Sequence, residues 1–161
     1  GFDDAAAVDK RPTTERQVEY PGSTAIIVKY DSYLCTNAGF CGNRSTSVAQ
    51  LMWSADDVNI RSQIMAMIDR CPSGALVYAL DKDGPDIEPD LPEQVAATTE
   101  ACPHGRVDGP LWVTGGIPIE CENGETLEIR NRVTLCSCGR SKHKPLCDGS
   151  HRAPGPAGDD A

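Results

Sequence analysis

The sequence has few aromatic residues and no long apolar run. Aromatic side chains make up 5% of the 161 residues and hydrophobic side chains 39%, beside 15 Gly and 12 Pro. This composition gives little material for a hydrophobic core, and small domains with thin cores usually depend on a disulfide or a bound metal. No stretch approaches the roughly 18 consecutive apolar residues of a membrane span, and no signal peptide is visible. We therefore expect no membrane association.

Positive charge is also scarce. The net charge is −9, which argues against nucleic acid as a partner. The exception is segment 129–152, which holds six Lys or Arg residues and one acidic residue, Asp148. This segment either faces a negative group, such as a cluster with thiolate ligands, or is a solvated basic face. The sequence lacks a nucleophile–base pattern and a P-loop, so we expect no enzymatic activity of its own.

Eight cysteines are the main positive feature of the sequence. An even number would fit a disulfide framework of a secreted protein. The spacings favour metal ligands instead, because three cysteines cluster with a histidine and others stand beside Gly or Pro. We therefore expect reduced thiols and a cytoplasmic location.

Hydrophobic periodicity divides the first half into short elements. After a flexible arm over 1–19, we predict a strand over 24–30 and a cysteine-bearing loop over 34–43. Apolar residues at helical spacing predict a helix over 57–70, capped by Ser54 or Asp57, and a strand follows over 75–80.

The second half reads as β-structure. Residues 81–92 are rich in Asp and Pro, and we predict a linker over 81–108. Short strands are expected over 111–113 and 117–121. Asn123-Gly124 then predicts a hairpin whose return strand, 127–135, leads into Cys136. The domains would be 20–80 and 109–152, with a flexible tail over 153–161.

Four donors of the kind that bind soft or borderline metals lie close together near the C-terminus. They are Cys136, Cys138, Cys147 and His151. A C-x-C pair cannot easily close a disulfide on itself, but it can place two thiolates on one metal. From the donor types alone, an iron–sulfur cluster and a structural zinc ion have similar weight.

The same segment resembles the CDGSH iron–sulfur domain, whose pattern is C-x-C-x2-S/T-x3-P-x-C-D-G-S/A/T-H. The matching positions are Cys136, Cys138, Ser141, Pro145, Cys147, Asp148, Gly149, Ser150 and His151. The resemblance covers about 109–152 and implies a 2Fe–2S cluster, with Cys136 and Cys138 on one iron and Cys147 and His151 on the other. Asp148 and Ser150 are expected to support the ligand loop through hydrogen bonds. A neutral imidazole ligand raises the reduction potential and can be lost in acid.

A second set of cysteines lies in the first half. Cys35 and Cys41 are spaced C-x5-C, Cys71-Pro72 follows, and Ala38 stands at the middle cysteine position of a bacterial ferredoxin pattern. Residues 24–80 resemble the divergent single-cluster ferredoxin domain found ahead of some CDGSH domains. Three cysteines suit a 3Fe–4S cluster. A 4Fe–4S cluster would need a fourth ligand from water, Asn37 or a distant residue such as Cys102. Alternatively, the three are buried thiols of a cluster-free remnant.

These resemblances imply an α+β protein with a ferredoxin-like α/β N-terminal domain and a β-rich CDGSH domain. We expect electron transfer, with a reductase or oxygenase as the redox partner. The alternative is transfer or storage of a cluster for an apo iron–sulfur acceptor, or redox and pH sensing through His151. A third possibility is a zinc module used for binding.

Overall fold

The computed structural model describes residues 9–42 and 45–154 and contains short helices and two antiparallel sheets. The helices are α1 (Thr13–Arg16), α2 (Val48–Leu51) and α3 (Val58–Asp69), with 3₁₀ turns at Ser32–Leu34, Met52–Ser54 and Ser150–Arg152. The strands are β1 (Val18–Glu19), β2 (Ile27–Tyr30), β3 (Leu76–Ala79), β4 (Gln94–Cys102), β5 (Gly105–Thr114) and β6 (Arg132–Leu135). This mixture is consistent with the predicted α+β class. Within the described part of the chain, no helix is both long and apolar enough to span a membrane.

The first sheet has the order β1-β2-β3 and is covered by α3. Ile64 and Ile68 of the helix are fully buried in one core with Val28 and Leu76 of the strands. The carboxylate of Asp57 caps the helix by accepting a hydrogen bond from the Asn59 N–H at 2.7 Å. The predicted helix and this cap are confirmed.

The second sheet has the order β4-β5-β6, and its first strand was not predicted. β4 pairs with β5 from Gln94 opposite Thr114 to Cys102 opposite Gly105. The predicted linker over 81–108 is therefore wrong from residue 94 onward. Side chains along β4 alternate between inward and outward positions, but hydrophobic residues do not follow this alternation. Val95 points outward and is 61% exposed, and the inward positions carry polar or small side chains, so the sequence has no strand pattern here.

The remaining part of the predicted linker, 81–92, is coil fastened to both sheets. The N–H of Ile87 donates to the Tyr78 carbonyl at 2.6 Å, on the last strand of the first sheet. On the other side, Thr114 Oγ1 of β5 donates to the Pro92 carbonyl at 2.6 Å. The two halves are therefore not joined by a free tether.

The predicted flexible arm over 1–19 is wrong for its described part. Residues 1–8 of the predicted arm lie outside the described residues, and so do 155–161 of the predicted tail. The described residues of the arm, 9–19, are folded, because they include α1 and β1. Arg16 of α1 pairs with the buried Asp31 at 2.8 Å, a contact that sequence periodicity does not reveal.

The turn at Asn123-Gly124 is confirmed, but its flanks are shorter than predicted. The N–H of Cys121 donates to the Glu125 carbonyl at 2.7 Å, and pairing beyond the turn is limited to an isolated bridge between Glu120 and Thr126. Continuous strand pairing with β5 begins only at Arg132.

The two sheets share buried structure at Arg132. Its guanidinium donates to the carbonyls of Ile68 and Asp69 at the end of α3, at 3.1 and 3.0 Å, and to the Leu76 carbonyl at 3.2 Å. A second apolar core crosses the same boundary, since it joins Leu34 and Ala75 to residues of the other half: Val113, Val133 and Leu146. The cysteine loops of both halves are therefore held in fixed relative positions.

Candidate metal centre

β6 leads directly into the C-terminal donor loop. The chain then turns back, so that the N–H of Cys136 donates to the Pro145 carbonyl at 2.8 Å and the N–H of Cys147 donates to the Thr134 carbonyl at 3.0 Å. These two bonds place Cys147 beside the end of β6, close to the C-x-C pair.

The four predicted donors form two close pairs. Cys136 Sγ lies 3.8 Å from Cys138 Sγ, and Cys147 Sγ lies 3.5 Å from His151 Nδ1. Two thiolates on one tetrahedral metal at about 2.3 Å would be about 3.8 Å apart, and a thiolate and an imidazole nitrogen would be about 3.5 Å apart. Each pair therefore has the spacing needed to bind one metal ion, and Nδ1 is the imidazole nitrogen that faces the metal position.

The two pairs differ in burial. Cys147 and His151 are 3% and 4% exposed, whereas Cys136 and Cys138 are half-buried. Burial raises the pKa of the Cys147 thiol to about 11, against the opposing effect of the Gly149 N–H. At Cys136 burial also acts to raise the pKa, but the backbone N–H groups of the surrounding loop outweigh it and the pKa is lowered. The loop is thus built to favour a thiolate at Cys136.

Asp148 supports the loop as expected. One carboxylate oxygen accepts the Lys142 N–H at 2.9 Å and the other accepts the Ser150 N–H at 3.0 Å. Burial acts to raise the pKa of this carboxyl group, but these donors outweigh it and hold the pKa below its ordinary value. Ser141, which is buried, donates to the Leu146 carbonyl at 2.6 Å and closes the same turn.

Glu100 is a site residue that the sequence did not reveal. Its carboxylate accepts two hydrogen bonds from Arg152, at 2.6 and 3.0 Å, and lies 3.0 Å from Nε2 of His151. That nitrogen is buried without a well-aligned hydrogen bond, so the contact is one of proximity and charge. Glu100 lies on β4, within the predicted linker. The only signal available was the Pro103-His104-Gly105 turn between two β-like runs.

The three N-terminal cysteines are neighbours in space. Cys35 follows a 3₁₀ turn, Cys41 lies two residues after the left-handed Gly39, and Cys71 lies two residues beyond the end of α3. Burial raises the pKa of Cys41, and the charges of Cys35 and Cys71 raise it further. All three are half-buried, and the rings of Tyr20 and Tyr30 stand beside them.

Cys102, the predicted alternative ligand, shares a cavity with the loop between Cys35 and Cys41. It ends β4 and lines a cavity of about 620 Å³ with Asn37, Ala38 and Phe40. Within residues 9–42 and 45–154, no group of three or more His, Cys, Asp or Glu side chains is arranged around one metal-ion position.

The donor loops of the two halves touch each other. The side-chain amide of Asn37 donates to the Asp148 carbonyl at 3.1 Å, and Arg152 donates to the Thr36 carbonyl. Gly149 has φ +89°, and a Cβ atom there would lie 2.6 Å from the Thr36 oxygen. Only glycine fits this approach.

Comparison with known protein families gives one match in each half of the chain. Residues 108–152 match the family described as iron-binding zinc finger, CDGSH type, and residues 22–81 match the family described as divergent 4Fe–4S mono-cluster. Searches of curated proteins and of solved structures gave no match. The chain therefore matches two iron- or iron–sulfur-binding family models in succession, the divergent 4Fe–4S mono-cluster model first and the CDGSH-type model second, which indicates an iron–sulfur protein.

Proposed function

We propose that the protein transfers electrons and binds two clusters. A 2Fe–2S cluster would be held by Cys136, Cys138, Cys147 and His151, and a 3Fe–4S or 4Fe–4S cluster by Cys35, Cys41 and Cys71. The observation that best supports this proposal is the spacing within the two pairs of C-terminal donors. Cys136 Sγ and Cys138 Sγ are 3.8 Å apart, and Cys147 Sγ and His151 Nδ1 are 3.5 Å apart, which suits two metal ions with two protein ligands each. A zinc ion would instead take all four donors at once.

The residues around the C-terminal donors favour a bound, redox-active group. Such a cluster supplies one-electron oxidation and reduction. The N–H of Arg140 lies 3.3 Å from Cys138 Sγ and the N–H of Gly149 lies 3.4 Å from Cys147 Sγ, so both thiolates accept backbone hydrogen bonds. These bonds and the neutral imidazole of His151 both stabilise the reduced state and raise the potential relative to a site with four thiolates.

The N-terminal site suits three cluster ligands in a ferredoxin-like domain. Ala38 occupies the position of a missing cysteine, and besides burial the charges of Cys35 and Cys71 contribute to the raised pKa of Cys41, which indicates that the three thiols are close together. We favour a 3Fe–4S cluster, because Cys35, Cys41 and Cys71 supply three ligands and Ala38 stands where a further cysteine would be. A 4Fe–4S cluster would require water or Asn37 as the fourth ligand.

We assign the protein the role of a carrier rather than an enzyme. The acidic chain, with net charge −9, is complementary to a basic reductase or oxygenase. Reduced thiols at all eight cysteines fit a cytoplasmic protein.

Electron paramagnetic resonance of oxidised and reduced protein, with iron and sulfide counted per chain, tests the proposal. We expect one signal from each site. Cys138→Ser should remove only the C-terminal signal, and Cys121→Ser, which changes a cysteine outside both sites, should remove neither. A colourless protein with one zinc ion and no sulfide, when produced with ample iron, would refute the proposal.

Cluster transfer or pH sensing through His151 is the second candidate, supported by the buried Nε2 atom beside Glu100. His151→Cys distinguishes the two roles. If His151 is the labile ligand of a donor, the variant should lose its visible colour more slowly in acid and should transfer its cluster to an apo-ferredoxin more slowly. Equal transfer rates for both proteins would leave electron transfer as the function.

A further inference from the structure

The contact between the two donor loops is a built interface. It contains the fitted glycine at position 149, the hydrogen bond from Arg152 to the Thr36 carbonyl, and the bond from Asn37 to the Asp148 carbonyl. Each lies within a few residues of a proposed ligand. Cys35 and Cys147 are thus the donors at which the two sites approach each other through the protein.

Asn37 makes bonds in both directions along this interface. Its backbone N–H donates to Cys35 Sγ at 3.3 Å, and its side-chain Nδ2 donates to the carbonyl of Asp148 at 3.1 Å. Asp148 is covalently joined to Cys147. A continuous route of covalent bonds and two hydrogen bonds therefore runs from one thiolate to the other.

The backbone of Asn37 explains why this residue type stands here. Its φ is +55°, and it is the one non-glycine residue with positive φ among those the structure describes. Asparagine tolerates the left-handed region better than most residues, and glycine tolerates it best. Glycine, however, lacks the amide that reaches Asp148. Asparagine meets both requirements.

We propose that Asn37 carries the electronic coupling between the two cluster sites, so that an electron passes within one chain from the N-terminal to the C-terminal site. This inference rests on the proposed function. An external one-electron donor reduces the N-terminal site, which then loses that electron to the C-terminal site, and no bond or proton is exchanged. We assign this direction because an imidazole ligand raises the potential of the C-terminal site relative to an all-cysteine site.

The test compares two variants with a matched control in the cluster-loaded protein. Asn37→Asp keeps the shape and the backbone N–H but removes the amide donor. Asn37→Gly keeps the left-handed backbone and removes the side chain. In the control, Asn131→Asp, a similar bond from Nδ2 to the Pro89 carbonyl, 2.9 Å long, is lost away from both sites. The rate of intramolecular electron transfer is measured after flash reduction by a photoreduced flavin.

We expect a several-fold slower transfer in both Asn37 variants and an unchanged rate in the control. The magnetic interaction of the two sites in electron paramagnetic resonance should stay as in the wild type, because the Asn37 N–H remains. The potentials should also stay unchanged in Asn37→Gly, whereas the added carboxylate of Asn37→Asp lowers them, so the rate of that variant is compared after correction for its measured driving force. An unchanged rate in the Asn37 variants, or a rate that falls only where the magnetic interaction shows separated sites, overturns the inference. Absence of either cluster from the wild type refutes the proposed function instead.

Discussion

Glu100 places a carboxylate oxygen 3.0 Å from Nε2 of His151, on the side of the ring opposite to Cys147. The same carboxylate is fixed by two hydrogen bonds from Arg152, so it cannot easily turn away. A negative charge at this position makes the imidazole a stronger donor to whatever Nδ1 binds. If His151 binds a metal ion as proposed, Glu100 would therefore influence that ion through the imidazole ring.

Replacing Glu100 by Gln should raise the reduction potential of the C-terminal site by tens of millivolts. Loss of the carboxylate charge makes the imidazole less electron-donating and removes a negative charge from a largely buried environment. A redox titration followed by visible absorption measures the shift. Asp86→Asn is the control, because Asp86 pairs with Lys29 on the surface at 2.8 Å, away from this site. A potential equal in both variants would show that Glu100 has no influence on the site.

The loss of cluster in acid should depend on Asp148. Its pKa is lowered in the folded protein, so its contribution to loop stability is present above its ordinary pKa of 3.8 and is lost as the pH falls through the lowered folded value. Asp148→Asn removes this charge and should weaken the loop by about 1–3 kcal/mol at neutral pH. Bleaching rates measured from pH 7 downward should then differ most at neutral pH and converge in strong acid. If the bleaching rates of the wild type and Asp148→Asn differed by the same factor at every pH, the role given to the Asp148 carboxylate would be contradicted.

Cys71→Ser should abolish the signal of the N-terminal cluster and leave that of the C-terminal cluster intact. The serine hydroxyl is a poor substitute for a thiolate, and the C-terminal donors do not include this residue. Cys102→Ser serves as the matched control and should change neither signal. Loss of the N-terminal signal in the control would identify Cys102 as a ligand and exclude a site with three cysteines only.

Arg132→Met should destabilise the protein by about 3–5 kcal/mol, because it leaves three buried carbonyl groups and the Glu88 carboxylate without their donor. Chemical unfolding followed by circular dichroism measures the change. Arg61→Met is the comparison, since Arg61 makes a single bond to the Ala55 carbonyl at 3.2 Å and should cost far less. An equal loss of unfolding free energy in Arg132→Met and Arg61→Met would mean that the buried hydrogen bonds of Arg132 do not add to stability.

The candidate metal ligands could be predicted from the sequence, but the residues that surround them in the fold could not. Cys136, Cys138, Cys147 and His151 could be predicted because ligand spacing is local, and α3 could be predicted because its apolar residues repeat at helical spacing. β4 could not be predicted, since its inward positions are polar or small and Val95 points outward. The contact of Glu100 with His151 could not be predicted for the same reason. It depends on the pairing of β4 with β5, which brings Glu100 close to Arg152, 52 residues further along the chain.

The contact between the two loops was equally inaccessible. Nothing in the composition of residues 34–43 indicates that Asn37 faces Asp148, because the relative position of the two halves depends on Arg132 and on the apolar core that both halves share. Such long-range packing leaves no periodic signal in either segment. Motifs therefore indicated two candidate sites, but only the fold shows that their loops are in contact.

The uneven burial of the C-terminal donors gives the site an inner and an outer face. Cys147 and His151 are almost completely enclosed and lie on the side of the Asn37 loop, whereas Cys136 and Cys138 remain partly open to solvent. If the site binds the proposed cluster, a redox partner would come nearest to it at the C-x-C end, and the buried end would face the Asn37 loop. Entry and exit would then occupy different surfaces, and one partner need not leave before the next one arrives.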